Sequence, residues 1–240
     1  MNNLLAIDIG NTNITTGIFR GKRLIAKAKM PTKAFYLSKI VKRRPCVAII
    51  SSVVPEALPR VIKCLRKIKK CEVKIVGRDI IVPIKNLYRI KNQVGQDRLV
   101  NAFAAKTIYG SPAIIIDFGT AITFDIVSKK GEYLGGLILP GIEISLSSLY
   151  EKTALLPKVK LEPSFNIIGK DTVNSMRGGI LFGFGAMADG LVAKYKKVLG
   201  RETKVIATGG NASLLKKYSK SIHYVDESLT LKGLYLIAHL

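Results

Sequence analysis

The clearest pattern along the chain is an apolar run that ends at an Asp-x-Gly turn and is followed by a second predicted strand. Residues 4–7 are apolar, residues 8–12 form a largely polar turn, and residues 15–19 are predicted to form the returning strand. The same order returns in residues 113–127 around the turn at residues 117–120. Runs of this kind flanking turn residues predict β-hairpins. The repetition indicates a duplicated architecture with two similar lobes.

Between the two hairpins, apolar runs alternate with a helical pattern. Residues 47–51 and 73–76 have the composition of buried strands, and residues 56–69 place apolar side chains at helical spacing. A further helix is predicted to open at Asp97 and to close near Gly110. Strands that alternate with helices favour a largely parallel sheet covered by helices.

The second half continues the alternation. Helices are predicted over residues 142–150 and 171–199, and glycines within the second are expected to break it. Residues 205–208 predict a short strand that leads into Gly209, Gly210 and a helix from about Ala212. We therefore predict lobes at residues 1–110 and 111–240.

Composition narrows the classes of function. The chain of 240 residues is 48% hydrophobic, which favours a globular protein. Its three cysteines form no CxxC pair and fit a reducing compartment, and no apolar run is long enough to cross a bilayer. With no leader recognisable at the start, we expect a cytoplasmic protein. Only two histidines are present, so acid–base chemistry falls to carboxylates.

The formal net charge of +23 makes an anionic partner plausible. Few aromatic residues lie among the basic ones, so a solvated basic surface is favoured over a nucleic-acid interface.

The turn at Asp8 has the chemistry of a phosphate site. Gly10 allows a phosphate to approach the backbone, and Asn11, Thr12 and Asn13 supply neutral donors. A carboxylate would repel phosphate unless a cation lay between them, so Asp8 is a candidate Mg²⁺ ligand. An ordinary hairpin turn is the alternative for either copy alone. Two such turns facing each other across a cleft could hold a triphosphate, and no P-loop motif is present.

Many short motifs in one order extend this interpretation over almost the whole chain. They include Gly95-Gln96-Asp97-Arg98, Asp117-Phe118-Gly119-Thr120 and Thr208-Gly209-Gly210, in addition to the first turn. In these segments the chain resembles the type III pantothenate kinases, within the superfold of actin and sugar kinases. The resemblance implies an α/β fold with two similar lobes of the actin-like ATPase (ribonuclease H-like) type and an ATP cleft between them.

The resemblance also implies a function and a set of site residues. The family transfers phosphate from ATP to pantothenate with Mg²⁺ and a monovalent cation, K⁺ or NH₄⁺, as the first step of coenzyme A biosynthesis. Asp97 would be the base, Asp117 would bind the monovalent cation, and a homodimer is implied. ATP would contact Asp8, Ile9, Gly10, Asn11, Thr12, Asn13, Ile14, Thr15 and Thr120. Pantothenate would contact Tyr88, Gly95, Gln96, Asp97, Arg98 and Thr172.

Two positions depart from the family pattern, since Gln96 lies where small or apolar residues are common and Ile122 lies where a threonine is often found. Without the resemblance, Asp97 would be interpreted as a helix N-cap. Two alternatives stay open: a kinase of the same superfold acting on another small hydroxy acid, and a non-enzymatic regulator associated with nucleic acid.

Overall fold

Two compact units make up the chain, and each is built around its own five-stranded sheet. The structure is a computed structural model, which describes residues 3–34, 45–163 and 166–240. Unit 1 consists of Met1–Thr107 with Leu229–Leu240, and unit 2 of Ile108–Ser228.

The sheet of unit 1 has the strand order β3-β2-β1-β4-β5. Its strands are β1 (Asn3–Ile9), β2 (Asn13–Arg20), β3 (Arg23–Pro31), β4 (Val47–Ser52) and β5 (Glu72–Ile75). Strands β1, β2 and β3 are antiparallel neighbours, whereas β4 and β5 run parallel to β1. The sheet is therefore mixed rather than largely parallel as predicted, because the hairpin strands join it on one side.

Unit 2 repeats this topology with the strand order β10-β9-β6-β7-β8. Its strands are β6 (Ala113–Phe118), β7 (Ala121–Val127), β8 (Tyr133–Pro140), β9 (Lys204–Thr208) and β10 (Tyr224–Val225). Strands β6, β7 and β8 are antiparallel neighbours, and β9 and β10 are parallel to β6. The two sheets have the same connectivity, which confirms the predicted duplication.

The helices of unit 1 are α1 (Leu58–Leu65) and α2 (Gln96–Tyr109), the second of which runs two residues into unit 2, together with α6 (Leu229–Ile237). Two short 3₁₀ turns lie at Thr32–Ala34 and Lys91–Gln93. Helix α1 is shorter than predicted at both ends.

The predicted lobe boundary misses the position of the last helix. Residues 229–237 fell within the predicted second lobe, but they form α6, which contacts β1, β2 and β4 of unit 1. Leu234 and Ile237 of α6 are fully buried, and the ring of Tyr235 stacks on Phe19 with centroids 4.7 Å apart. Burial of this apolar face keeps the end of the chain on the first sheet.

The helices of unit 2 are α3 (Ile142–Lys152), α4 (Thr172–Leu199) and α5 (Ala212–Leu215). The predicted break in α4 is wrong, since the helix is continuous over 28 residues. One glycine explains how packing overrides propensity: a Cβ at Gly185 would lie 2.1 Å from the carbonyl oxygen of Tyr218. The glycine lets another segment approach α4 closely, and this contact offsets the weak helix propensity.

Each unit has an apolar core of its own. In unit 1 the core includes β1, β4 and the buried face of α1, and in unit 2 it includes β6, β7 and α4. None of the helices in the described ranges is long and apolar enough to span a membrane.

Candidate functional site

The first turn is tight and is closed by its own backbone. Asp8 is the penultimate residue of β1 and is half-buried. The Gly10 amide donates to the Asn13 carbonyl at 3.0 Å, and a Cβ at Gly10 would lie only 3.1 Å from that oxygen. Asn11 and Thr12 are exposed at the tip. The turn therefore presents backbone and neutral donors to solvent directly beyond a carboxylate.

A buried threonine from a distant part of the chain holds this turn. Thr32 is 5% exposed, and its hydroxyl donates to the Gly10 carbonyl at 2.6 Å. Its amide donates to the Thr12 carbonyl at 3.0 Å. The Arg60 guanidinium of α1 in turn donates to the carbonyl of Thr32 and, at 3.1 Å, to that of Lys33. Sequence inspection missed Thr32 and Arg60, because no local pattern reveals a contact between residues so far apart.

The end of β4 lies beside the same turn. Ser51 pairs in register with Asp8, so their side chains share a face of the sheet. The Ser51 hydroxyl is buried and has no hydrogen-bond partner within the part of the chain that the structure describes. In unit 2 the equivalent pair is Asp117 with Thr208. Sequence inspection did not place Ser51 beside Asp8, because this pairing arises from the register of β4 on β1.

Asp97 is brought to this region through Val53. The Val53 amide donates to the Ile9 carbonyl at 3.1 Å. A Cβ at Gly95 would lie 3.4 Å from Val53 Cγ1 and 2.5 Å from Asp97 Oδ1. The first turn, the end of β4 and the segment from Gly95 therefore converge within unit 1.

The Asp97 carboxylate is half-buried and oriented by the backbone. It is the second residue of α2 rather than the residue before the helix, and its Oδ1 accepts from the Arg98 amide at 2.8 Å. Burial raises the pKa of the Asp97 carboxyl by more than the Arg98 amide and guanidinium lower it. A carboxylate with a raised pKa is the more basic one, and this suits it to accept a proton.

The neighbours of Asp97 have distinct environments. The Gln96 side chain covers Gly77, where a Cβ would lie 2.7 Å from Gln96 Cδ, so a glycine accommodates this departure from the family pattern. Arg98 is 8% exposed. Tyr88 lies on the loop that leads to α2, half-buried, with its amide held by the side chain of Asn86 at 2.9 Å.

The second turn places a carboxylate against bare backbone in unit 2. Asp117 is the penultimate residue of β6, the position that Asp8 has in β1. A Cβ added at Gly209 would lie 2.4 Å from Asp117 Oδ1, and a Cβ added at Gly119 would lie 3.2 Å from it. Gly209 also has a φ of +89°. Thr120 is exposed at the turn, and Ile122, the other departure, is fully buried in the core. Glycine is required at residue 209 both by its conformation and by this close approach.

Thr172 lies in unit 2 as the exposed first residue of α4. It borders an open cavity of about 310 Å³ whose other lining residues include Leu149 and Leu156. Asp171 caps the helix by accepting from the Asn174 amide at 2.8 Å. The structure therefore places Thr172 in a different unit from Asp97 and Tyr88.

Metal ligands are not gathered in a dense cluster. Among the described residues, no group of three or more His, Cys, Asp or Glu side chains could hold a metal ion. A metal at either turn would rest on one carboxylate together with other oxygen donors such as hydroxyls, carbonyls and phosphates.

Comparison with known proteins gives a consistent family. The family model described as type III pantothenate kinase matches residues 4–194. A type III pantothenate kinase of Myxococcus xanthus is 39% identical over 248 residues, covering 98% of this chain and 97% of the relative. One of Citrifermentans bemidjiense is 42% identical over 248 residues, covering 98% of both.

Similarity among solved structures is one of fold. A Baf family transcriptional activator from Campylobacter jejuni matches with a TM-score of 0.58 and 20% sequence identity, over 98% of this chain and 97% of that chain. At 20% sequence identity the similarity supports a shared architecture and nothing about function.

Proposed function

Since the chain belongs to the type III pantothenate kinase family, we propose that it phosphorylates pantothenate with ATP, the first step of coenzyme A biosynthesis. The observation that carries the proposal is the convergence, in unit 1, of the Asp8 turn with the half-buried carboxylate of Asp97. Phosphoryl transfer needs positioned phosphates and an acceptor hydroxyl beside a base. As a biosynthetic kinase the protein is proposed to act in the cytoplasm.

The turns are proposed to bind the phosphates of ATP. Residues 8–15 supply a glycine-containing backbone and the side chains of Asn11, Thr12 and Asn13, and the family resemblance implies that Thr120 also contacts ATP. The exposure of Asn11, Thr12 and Thr120 supports this role, because a nucleotide can reach them.

Asp97 is proposed to accept the proton of the primary hydroxyl of pantothenate as the oxygen attacks the γ-phosphorus, while the bond from that phosphorus to the bridging oxygen breaks and ADP leaves. The Arg98 amide fixes Oδ1, and desolvation makes the carboxylate more basic. Arg98, adjacent to Asp97, is proposed to pair with the carboxylate of pantothenate. Tyr88, Gly95 and Gln96 complete this part of the substrate site, and the family resemblance implies that Thr172 reaches the pantothenate pocket of the partner subunit.

The residues beside Asp8 fit Mg²⁺. The carboxylate and the orphaned hydroxyl of Ser51 share a face of the sheet, and hard oxygen donors are what this ion prefers. When bound, Mg²⁺ neutralises charge on the phosphates. The role of Asp8 in this account is to hold the ion or its waters while Thr32 keeps the turn in place.

The second turn fits a monovalent cation. A Cβ at Gly119 or Gly209 would crowd Asp117 Oδ1. Because both residues are glycines, backbone oxygens and a nucleotide can approach this carboxylate oxygen. We expect activity to require K⁺ or NH₄⁺, and Asp117→Ala to abolish that response. Equal rates in buffers that contain Na⁺ alone or K⁺ would contradict the assignment.

We further propose a homodimer that forms through α4. Its apolar residues Ile180 and Leu181 are buried in unit 2, but Gly179, Gly183 and Gly190 have open space where a side chain would begin. Such a surface allows the helix of a second copy to approach closely.

The experiment that tests the function is a panel of acceptors with ATP. Release of ADP should depend on pantothenate and should stay near background with other small hydroxy acids. A stronger response to another hydroxy acid would favour the alternative kinase. The regulator alternative rests on the net charge of +23 and predicts no acceptor-dependent ADP release.

A further inference from the structure

Two cysteines lie opposite each other where β4 and β5 begin. Val47, the first residue of β4, pairs in parallel register with Glu72, the first residue of β5. The Glu72 amide donates to the Cys46 carbonyl at 2.9 Å, so the ladder continues one residue further back. Cys46 and Cys71, the residues directly before these strands, are therefore neighbours across the ladder.

Their separation suits a disulfide. Adjacent strands lie about 4.7–4.9 Å apart, and disulfides join Cα atoms about 4.4–6.8 Å apart. Residues in register direct their side chains to the same face of a sheet. The electrostatics agree with this placement, because burial and then the nearby Cys46 thiol raise the pKa of Cys71.

The third cysteine has a different position. Cys64 lies on α1, where it packs on the core of unit 1, and no strand pairing places it beside either of the others. All three thiols are free and partly exposed, so a reagent can reach each of them. Cys64 therefore provides a matched internal control.

The pair lies away from the proposed catalytic groups. Cys46 precedes the first residue of β4, whereas Ser51 and Ser52 close the opposite end of that strand. At about 3.3 Å per residue the two ends are roughly 15–20 Å apart. Oxidation of the pair can therefore occur without consuming a group that the kinase reaction uses.

We propose that Cys46 and Cys71 form a modification site, a dithiol that low-molecular-weight disulfides convert reversibly into an intramolecular disulfide. The first thiolate attacks the reagent, forms a mixed disulfide and releases one small thiol. The second attacks the protein sulfur of that mixed disulfide and releases the other small thiol. The two protein thiols lose two electrons and two protons, and the reagent is reduced to two thiols.

The bond would close a loop of roughly 25 residues that contains α1 and therefore Arg60. A cross-link of this length constrains the unfolded chain and stabilises the folded one. For a chain of this size the midpoint of thermal unfolding should rise by roughly 5–10 °C on oxidation.

Oxidised glutathione is the probe that tests the site. Reduced wild-type protein is incubated with it, remaining thiols are blocked with N-ethylmaleimide, and digested peptides are identified by mass spectrometry. We expect a Cys46–Cys71 cross-link and a Cys64 that carries glutathione or N-ethylmaleimide but is joined to neither of the other two cysteines. Cys64→Ser should give the same cross-link, whereas Cys46→Ser and Cys71→Ser should stop at a mixed disulfide with glutathione.

The wild-type readout does not depend on the folding of any variant. A cross-link that includes Cys64, a cross-link between two chains, or alkylation of all three thiols would overturn the proposal. Dithiothreitol should remove the bond and the rise in unfolding temperature together, and a rise that persists after reduction would count against it.

Discussion

At the scale of single residues, the candidate site depends on where one carboxylate is buried. Asp97 could be predicted as a base only through the family resemblance, since an acidic residue at the start of a helix is usually a cap. Asp97 lies inside α2 rather than directly before it, and burial raises its pKa, which supports the proposed role as a base. Thr32, Arg60 and the orphaned Ser51 hydroxyl could not be predicted, because their surroundings depend on contacts and strand pairing between segments distant in sequence.

The raised pKa of Asp97 predicts the pH dependence of the reaction. Below this pKa the carboxyl is protonated and cannot accept the proton of the substrate hydroxyl, so kcat/KM should fall as the pH is lowered through it. The acidic limb should lie above the ordinary aspartate value of about 3.9. A limb at or below that value would contradict the burial argument.

The same shift predicts a stability difference of known sign. A carboxyl whose pKa is raised in the folded state contributes stability below its unfolded pKa, and that stability is lost as the pH rises through the folded pKa. Asp97→Asn should therefore unfold at a higher temperature than the wild type at pH 7, with the difference shrinking toward pH 4. Glu56→Gln, a substitution at an exposed position of the same unit, provides the control for the loss of one carboxylate.

Thr32 is predicted to act as a positioning residue for the phosphate turn. Thr32→Val keeps the shape but removes the hydrogen bond to the Gly10 carbonyl, which is worth about 0.5–1.5 kcal/mol. We expect the KM for ATP to rise roughly 2- to 10-fold, by the same free energy, with the KM for pantothenate unchanged. Thr32→Ser keeps the hydroxyl and should restore the wild-type value. An equal rise in the KM for ATP and the KM for pantothenate in Thr32→Val would indicate a general folding defect instead.

At the scale of elements, strong local patterns were predicted and long-range pairings were not. Both hairpins and the helix of residues 142–152 appear close to the predicted positions. Strands β3 and β8 were missed because β3 is a lysine-bearing edge strand and β8 is interrupted by Gly135 and Gly136. The break predicted in α4 was wrong because tertiary packing, as at Gly185, outweighs the weak helix propensity of glycine.

Helix α6 is predicted to be essential to unit 1 although it comes last in the chain. Leu234 is fully buried, and replacing it by Ala should cost about 2–5 kcal/mol of unfolding free energy through lost burial and a cavity. Leu240→Ala provides a matched control, since that leucine is 80% exposed and should change stability by less than about 0.5 kcal/mol. Denaturant unfolding measures both, and similar midpoints for the two variants would show that α6 is dispensable.

At the scale of the whole molecule, duplication distributes the proposed chemistry over both units. The central strand of each sheet has an aspartate as its penultimate residue, directly before a glycine turn, and the proposed base lies in unit 1. The duplication could be predicted from the repeated motif. The return of the last helix to unit 1 could not be predicted, because the sequence of an apolar helix does not indicate which sheet it packs on.

The proposed homodimer is tested by a charged side chain on α4. Gly183→Glu has open space within one chain, and replacing glycine should favour the helix, so the monomer should remain folded. We expect sedimentation to show monomers with impaired phosphorylation of pantothenate. Val198→Glu, at an 82% exposed position near the end of the same helix, should remain dimeric and active. A fully active wild-type monomer at micromolar concentration would exclude the dimer.

Product formation by Asp97→Asn tests directly whether Asp97 is the base of a pantothenate kinase. Phosphorylated pantothenate is quantified by mass spectrometry under saturating ATP for the wild type and the variant, with ATP binding measured in parallel. An amide cannot accept the proton, so we predict that turnover falls about 10²- to 10⁴-fold while ATP binding is nearly unchanged. Turnover of the variant near the wild-type rate, or a wild type that forms no phosphorylated pantothenate, would contradict the account.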